Sequence, residues 1–383
     1  MNVKRGFERA EFEARLASVQ SGMLSADFDA LLLTTEPEVR YFTGFNTQFW
    51  QSPTRPWYVI VPQQGELIAV IPTIGEPLMQ RTWVGDIRCW SSPDPDDDGV
   101  SLLADSILEC VDGNARVGLL MGSETLLRMP LNDYAALQRK TRNCEYVDAT
   151  TLVHSLRQIK SAAEIDKIKS AAVAASLAFA QLPQQVRTGD TERHIFQTFK
   201  HSCLDAGADD VSYLVGVTSP SGYDDIIAPA TDRTTNSGDV LILDTGCTVD
   251  GYFCDFDRNY AFSKVDDKTA DAYVRTHESI DAALSIVRSG VTCAELYASM
   301  NKVLANESNM VGRMGHGLGM QLTETPSITQ MDQTVLRDGM VMTLEPCLNY
   351  GDGKVMVHEE NLVVRDDGYE LLSHRASAEI LII

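Results

Sequence analysis

Residues 241–262 read LILDTGCTVDGYFCDFDRNYAF, two strand-like apolar runs joined at Thr248–Gly251. Carboxylates stand where such runs should be apolar. Asp244 ends the first run, and Asp255 and Asp257 sit inside the aromatic second one. A strand apolar on both faces belongs in a sheet interior, where an unpaired carboxylate is costly and tends to take up a proton. A hairpin turning at Thr248–Gly251 sets Asp244 and Asp255 nearly opposite each other. Asp257 then shares the face of Asp255, because strand side chains alternate.

The same anomaly recurs downstream. Glu345 follows the run VMTL and precedes Pro346, and Glu359 and Glu360 interrupt VMVHEENLVV. Acids gathered in one domain repel unless a cation compensates them. His316, between Gly315 and Gly317, adds a nitrogen donor where small neighbours let the backbone come close. A single such acid is more often a surface residue or the partner of an arginine, and Arg258 and Arg313 are nearby candidates. As a set, one histidine and four carboxylates form a hard, oxygen-rich donor group. It suits two divalent ions such as Mn²⁺, Co²⁺ or Fe²⁺, with Zn²⁺ also admissible, better than a thiolate site does. Two ions a few ångströms apart can share a water, lower its pKa and polarise a carbonyl.

The bulk composition narrows the partners. The chain of 383 residues is 44% apolar and 22% charged, an ordinary globular balance, and its length predicts two domains or one large one. A formal charge of −22 argues against nucleic acid and against an anionic membrane surface, both of which call for a basic face. No apolar run approaches the length of a membrane span, and the start MNVKRGFERAEFEARLASV is charged and amphipathic rather than a signal peptide. Eight scattered cysteines without CxxC spacing point to reduced thiols and a cytoplasmic protein.

Periodicity divides the chain. Phe12, Leu16, Val19 and Met23 recur at helical spacing, strand-like runs follow at 30–34, 57–62, 67–72 and 116–120, and helical stretches lie near 100–111 and 131–140. These predict an α/β domain over residues 1–155. Ser161 and Glu164 form a capping-box pattern ahead of an Ala-rich helix, opening a second domain over 156–383. A helix near 190–205, strands from 211, helices near 267–289 and 292–305, and closing strands near 341, 354 and 369 predict an α+β fold with a largely antiparallel sheet.

At these residues the chain resembles the pita-bread metallohydrolases: prolidase, aminopeptidase P, methionine aminopeptidase and their non-peptidase relative creatinase. The likeness covers nearly the whole length, from ALLLTTEPEVRYFTGF and the junction LRQIKSAAEIDKIKSAA to LILDTG, GYFCDFDR, GHGLG, TLEP and HEENLVV in order. It implies a creatinase-like α/β domain followed by a pita-bread domain, a curved, largely antiparallel sheet flanked by helices, and a homodimer. It also implies that Asp244 chelates one ion, Asp255 and Glu360 bridge both, and His316 and Glu345 complete the set, with Glu345 as general base. The residues alone do not choose between Glu359 and Glu360. The family register R-x-E-[DN] selects Glu360 and puts His358 where an arginine is common. Creatinase lacks these ligands, so its metal-free chemistry is not expected here.

Two family histidines that flank the scissile bond are replaced, by Ile227 or a close neighbour in SPSGYDDIIAPATDR and by Thr323 in GHGLGMQLTETP. Threonine keeps a hydrogen bond but no positive charge, and isoleucine keeps neither. Loss of one transition-state donor typically costs about 10²–10³ in rate. Tyr223, Asp224 and Asp225 of the altered loop, together with Asp257 and His358, are candidates to replace the lost groups. Trp50 and Arg55, beside Trp57, are candidate substrate contacts for a carboxylate or a cation, and Arg313 is another. The leading expectation is a metal-dependent hydrolase of a small peptide or peptide-like amide. The alternative is a related enzyme cleaving a C–N bond in a small non-peptide metabolite, or a lyase, and a non-catalytic binder on the same fold is a third.

Overall fold

The computed structural model describes residues 3–53, 55–305 and 312–383. The chain divides into two compact units, Lys4–Arg157 and Gln158–Ile383.

The first unit carries strands β1 (Ala30–Leu33), β2 (Tyr58–Pro62), β3 (Ile68–Pro72), β4 (Asp86–Trp90), β5 (Ala115–Leu119) and β6 (Cys144–Asp148). They form one sheet in the order β4-β3-β2-β1-β5-β6, mixed in direction, with β1 antiparallel to β2 and parallel to β5. Helices α1 (Arg9–Ala26), α2 (Glu36–Thr43), α3 (Glu76–Met79), α4 (Val100–Cys110), α5 (Leu131–Lys140) and α6 (Thr150–Gln158) accompany it. Strands β1, β2 and β3 are buried along their whole length, as their unbroken apolar runs require. Strands β4 and β6 escape a hydropathy reading because they are half-exposed and carry Asp86, Arg88, Glu145 and Asp148.

The second unit opens with α7 (Ala162–Gln185), whose Ser161 and Glu164 close a reciprocal capping box, and continues with α8 (Glu192–Asp205). Strands β7 (Asp210–Pro220), β8 (Asp239–Val249), β9 (Tyr252–Phe253) and β10 (Phe256–Ala261) follow, then α9 (Asp267–Leu284) and α10 (Cys293–Val303). The rest is strand: β11 (His316–Gly317), β12 (Glu324–Ser327), β13 (Val341–Leu344), β14 (Cys347–Gly351), β15 (Lys354–Val357), β16 (Glu360–Arg365), β17 (Gly368–Leu371) and β18 (Leu381–Ile382). One sheet runs β18-β10-β8-β7 with β9 beside β8, a second runs β12-β11-β13-β16-β17, and β14 and β15 make a separate ribbon. Every pairing except β10 with β18 is antiparallel. The α+β expectation therefore holds, with the antiparallel strands split into two sheets and a ribbon. Among the described residues no helix is long and apolar enough to cross a membrane.

The hairpin of the opening stretch forms as its sequence requires. Val249 pairs with Tyr252 across Asp250 and Gly251, both with positive φ, as a type I′ turn demands. That register puts Asp244 opposite Asp257 rather than opposite Asp255. Asp255 falls outside β10, one step diagonal from Asp244.

Candidate metal centre

The acids sit where strands stop. The run YFCDFDRNYAF is two strands, interrupted at Cys254–Asp255, and KVMVHEENLVV is two strands, interrupted at His358–Glu359. Glu345 lies in the break between β13 and β14, and Asp244 is in the middle of β8. A carboxylate in such a break is freed from strand alternation and can turn toward a neighbouring sheet. The Asp255 backbone N–H donates to Asn361 Oδ1 at 2.9 Å, and the Asn361 amide donates to the Asp255 carbonyl. These bonds tie the first sheet to the second at β16, so the acids collect at the seam.

His316 is aimed by its own neighbour. Its Nδ1 is 2.8 Å from the Gly317 carbonyl, which assigns the proton to Nδ1 and leaves the Nε2 lone pair directed inward, 3.4 Å from Asp255 Oδ2. Gly315 before it has φ +132, and a Cβ there would lie 2.1 Å from the Thr343 carbonyl. The glycines thus let β11 press against β13. Asp255, His316 and Glu359 each offer a ligand atom, all within 4.8 Å of one another, and all three are buried. Thr343 donates a short hydrogen bond to Glu359 Oε1, fixing that carboxylate.

The electrostatics of the cluster call for a cation. Burial lifts the Asp255 carboxyl well above the usual range, and the charges of Asp244 and Glu345 lift it further. Glu359 is raised by burial, then by Asp255, Glu345 and Asp244. Asp244 and Glu345 retain some surface but are hemmed in by protein, so burial pushes each up to about 7. Burial also pulls His316 down to about 4, keeping the imidazole neutral. Asp244 Oδ1 and Asp257 Oδ1 are buried without a hydrogen-bond partner. Four mutually repelling carboxylates, a neutral histidine and orphaned buried oxygens fit hard divalent cations.

Glu359, not Glu360, joins the group, which corrects the choice made from the family register. Glu360 is saturated: Arg258 Nη2 at 2.9 Å, Arg375 Nη1 at 3.1 Å, the Ala376 N–H at 2.8 Å and the Ser373 hydroxyl all donate to it. A carboxylate so held is a structural counter-ion. Tyr223 is likewise structural, fully buried, with its hydroxyl donating to Asn259 Oδ1 at 2.7 Å and accepting from the Val357 N–H at 3.0 Å. His358 is also fully buried, its ring 4.8 Å from that of Tyr273 and 5.4 Å from that of His277, with neither nitrogen bonded. Asp257 is buried beside Asp244 and accepts from the Asn259 amide at 2.8 Å, so it adds charge to the cluster's edge.

Thr323 and Arg313 are half-buried, with Arg313 Nη2 3.5 Å from the Thr323 hydroxyl. Glu324 anchors the segment through a buried ion pair with Lys160 at 3.1 Å. Ile227 is 71% exposed and does no polar work. Asp224 and Asp225 are exposed, and Asp225 caps the Ile227 N–H. Trp50 and Arg55 belong to the unit Lys4–Arg157 and are used inside it. Trp50 packs 6.3 Å from Trp57 and under the Arg128 guanidinium at 5.0 Å, while Arg55 donates to the Ser92 hydroxyl at 2.8 Å.

Three residues were not legible as site components. Tyr213 of β7 faces the cluster: burial raises its hydroxyl pKa, and the charges of Asp244, Asp255, Glu359 and Glu345 raise it further. Asn361 and Thr343 position Asp255 and Glu359. Tyr213 pairs with Gly246, two residues past Asp244 on the same face, so a register-level reading of VSYLVGVT against LILDTG could have found it.

The family model for the creatinase/prolidase N-terminal domain matches residues 15–159, and that for metallopeptidase family M24 matches 166–366. The chain is 25% identical over 370 residues to the probable dipeptidase PepE of Mycobacterium tuberculosis, covering 95% of each. It is 24% identical to the Xaa-Pro dipeptidase of Lactobacillus helveticus, covering 94% of this chain and 96% of the other. The crystal structure of a prolidase from Thermococcus sibiricus superposes with a TM-score of 0.88 at 23% identity, covering 99% of this chain and 100% of that one. A seam of buried acids around one neutral histidine, on a chain matched by both models, makes this protein a metal-dependent peptidase belonging to metallopeptidase family M24.

Proposed function

We propose that the chain is a dipeptidase of the Xaa-Pro type, with two divalent ions held by Asp244, Asp255, His316, Glu345 and Glu359. The observation that carries this reading is the buried convergence of Asp255, His316 and Glu359 within 4.8 Å. Asp255 and Glu359 would hold ions from the middle of the set, whose many oxygens suit Mn²⁺, with Co²⁺, Fe²⁺ or Zn²⁺ also admissible. Bound there, such ions supply an acidified water and polarise the scissile carbonyl. Glu345, which keeps some exposed surface, would take the proton of the attacking water and deliver it to the departing amine. The dipeptidase relatives support a peptide over a non-peptide metabolite as substrate. A homodimer and a cytoplasmic location complete the reading; eight free cysteines among the described residues accord with the latter.

Elemental analysis of Mn²⁺-repleted protein should find about two ions per chain, and that protein should hydrolyse Ala-Pro or Gly-Pro. Protein that binds no ion after repletion, or that loads fully and cleaves no dipeptide, refutes the proposal.

A further inference from the structure

Asp257 is a buried acid for which the ligand set proposed above has no use. It stands directly opposite Asp244 in the ladder of β10 and β8, so the two side chains lie on one face of that sheet. One of its oxygens is pinned. Tyr223 donates to Asn259 Oδ1 at 2.7 Å, and the Asn259 amide donates to the Val357 carbonyl at 2.7 Å and to Asp257 Oδ2 at 2.8 Å. The other oxygen, Oδ1, is buried without a hydrogen-bond partner, as is Asp244 Oδ1 across the ladder. The adjacent Arg258 directs its guanidinium to the carbonyls of Asp257, Glu359 and His374 and to the Glu360 carboxylate, not to the Asp257 carboxylate. Burial lifts the Asp257 carboxyl well above the ordinary range; Arg258 opposes that, and the charges of Asp244, Glu360 and Glu345 add to it. Asp257 in turn raises Asp255, so it belongs to the cluster's field. Two facing carboxylates, each with an orphaned buried oxygen, call for a shared cation.

We propose that Asp257 Oδ1 is a further donor to the divalent ion that Asp244 holds, and that this added oxygen biases the site toward Mn²⁺ and away from Zn²⁺. This rests on the two-ion reading above. Zn²⁺ is satisfied by about four donors and takes nitrogen and sulfur readily, whereas Mn²⁺ suits a larger, oxygen-rich set. The chain from Tyr223 through Asn259 fixes the Asp257 carboxylate before any ion binds, as the hydrogen-bonded partners of ligating carboxylates do.

The test is calorimetric titration of metal-free wild type, Asp257→Asn and Asp257→Ala with Mn²⁺ and, separately, with Zn²⁺, each protein checked by circular dichroism. In Asp257→Asn the amide oxygen can keep the Asn259 bond, which leaves an N–H₂ group in place of the donor oxygen. Mn²⁺ affinity should fall at least about ten- to hundredfold, the loss that follows when even a partner of a ligand is removed, and Zn²⁺ affinity should fall less. Wild-type Mn²⁺ affinity in folded Asp257→Asn, or an equal loss for both ions, overturns the proposal. If neither variant folds, the crystal structure of Mn²⁺-loaded wild type decides. Asp257 Oδ1 within about 2.0–2.6 Å of an ion upholds the assignment, and a longer separation overturns it. Wild type that binds neither ion refutes the two-ion reading itself, whereas wild type that binds Mn²⁺ without Asp257 refutes the role of Asp257 alone.

Discussion

Glu359 and Glu360 are adjacent, chemically identical and both fully buried, yet the structure gives them opposite work. Glu359 faces Asp255 and His316, and Glu360 faces two arginines. Their substitutions should therefore separate. Glu359→Gln removes a metal donor and should lower bound metal to one ion or none while the chain stays folded, as elemental analysis reports. Glu360→Gln strands Arg258 and Arg375 and should cost about 3–5 kcal/mol of stability with metal content retained, read from urea unfolding and the same elemental analysis. Metal loss confined to the Glu360 variant would reverse the assignment. The sequence does not separate them because the chain breaks at His358–Glu359, where strand alternation no longer says which carboxylate turns inward.

At the scale of elements, the short strand β11 holds the single nitrogen donor and depends on close backbone contact. At Gly315, φ is +132 and any Cβ would meet the Thr343 carbonyl at 2.1 Å. Gly315→Ala should destabilise the protein by about 1–3 kcal/mol from backbone strain alone. It should also displace His316 from Asp255, weakening metal affinity, which calorimetric titration with Mn²⁺ measures. An alanine variant with wild-type melting temperature and affinity would show that β11 can retreat without cost. The hairpin β8–β9 is a local turn readable in the sequence, while its register corrects the expected Asp244–Asp255 pairing. Its Asp250–Gly251 turn dictates the register, and the register places Asp257 beside Asp244.

For the whole molecule, the cluster sets a pH dependence with a definite sign. Burial raises the carboxyls of Asp244 and Glu345 to about 7 in the folded state, from ordinary values of 3.8 and 4.5. A raised carboxyl contributes stability at low pH that is lost as pH rises through the folded value, because the unfolded chain releases the proton more readily. Chelator-treated protein should therefore lose on the order of a few kcal/mol between about pH 5 and pH 8. Its melting temperature should fall across that range. Added Mn²⁺, which binds the ionised carboxylates, should narrow or reverse the trend. A melting temperature of the metal-free protein that climbs from pH 5 to pH 8 would contradict the repulsion described here.

The sequence by itself determined the domain classes, the helix opened by the Ser161–Glu164 capping box, the turn within Thr248–Gly251 and the identity of nearly every acid in the cluster. Those features are written in local patterns: periodicity, turn residues, and carboxylates in runs that burial would punish. Tertiary structure alone decided that Glu359 is the inward acid, that Tyr223 and His358 are core residues, and that Asn361 and Thr343 position the site's acids. It also set Arg313 beside Thr323. Each depends on tertiary contact between residues 10 to 106 positions apart that no local period encodes.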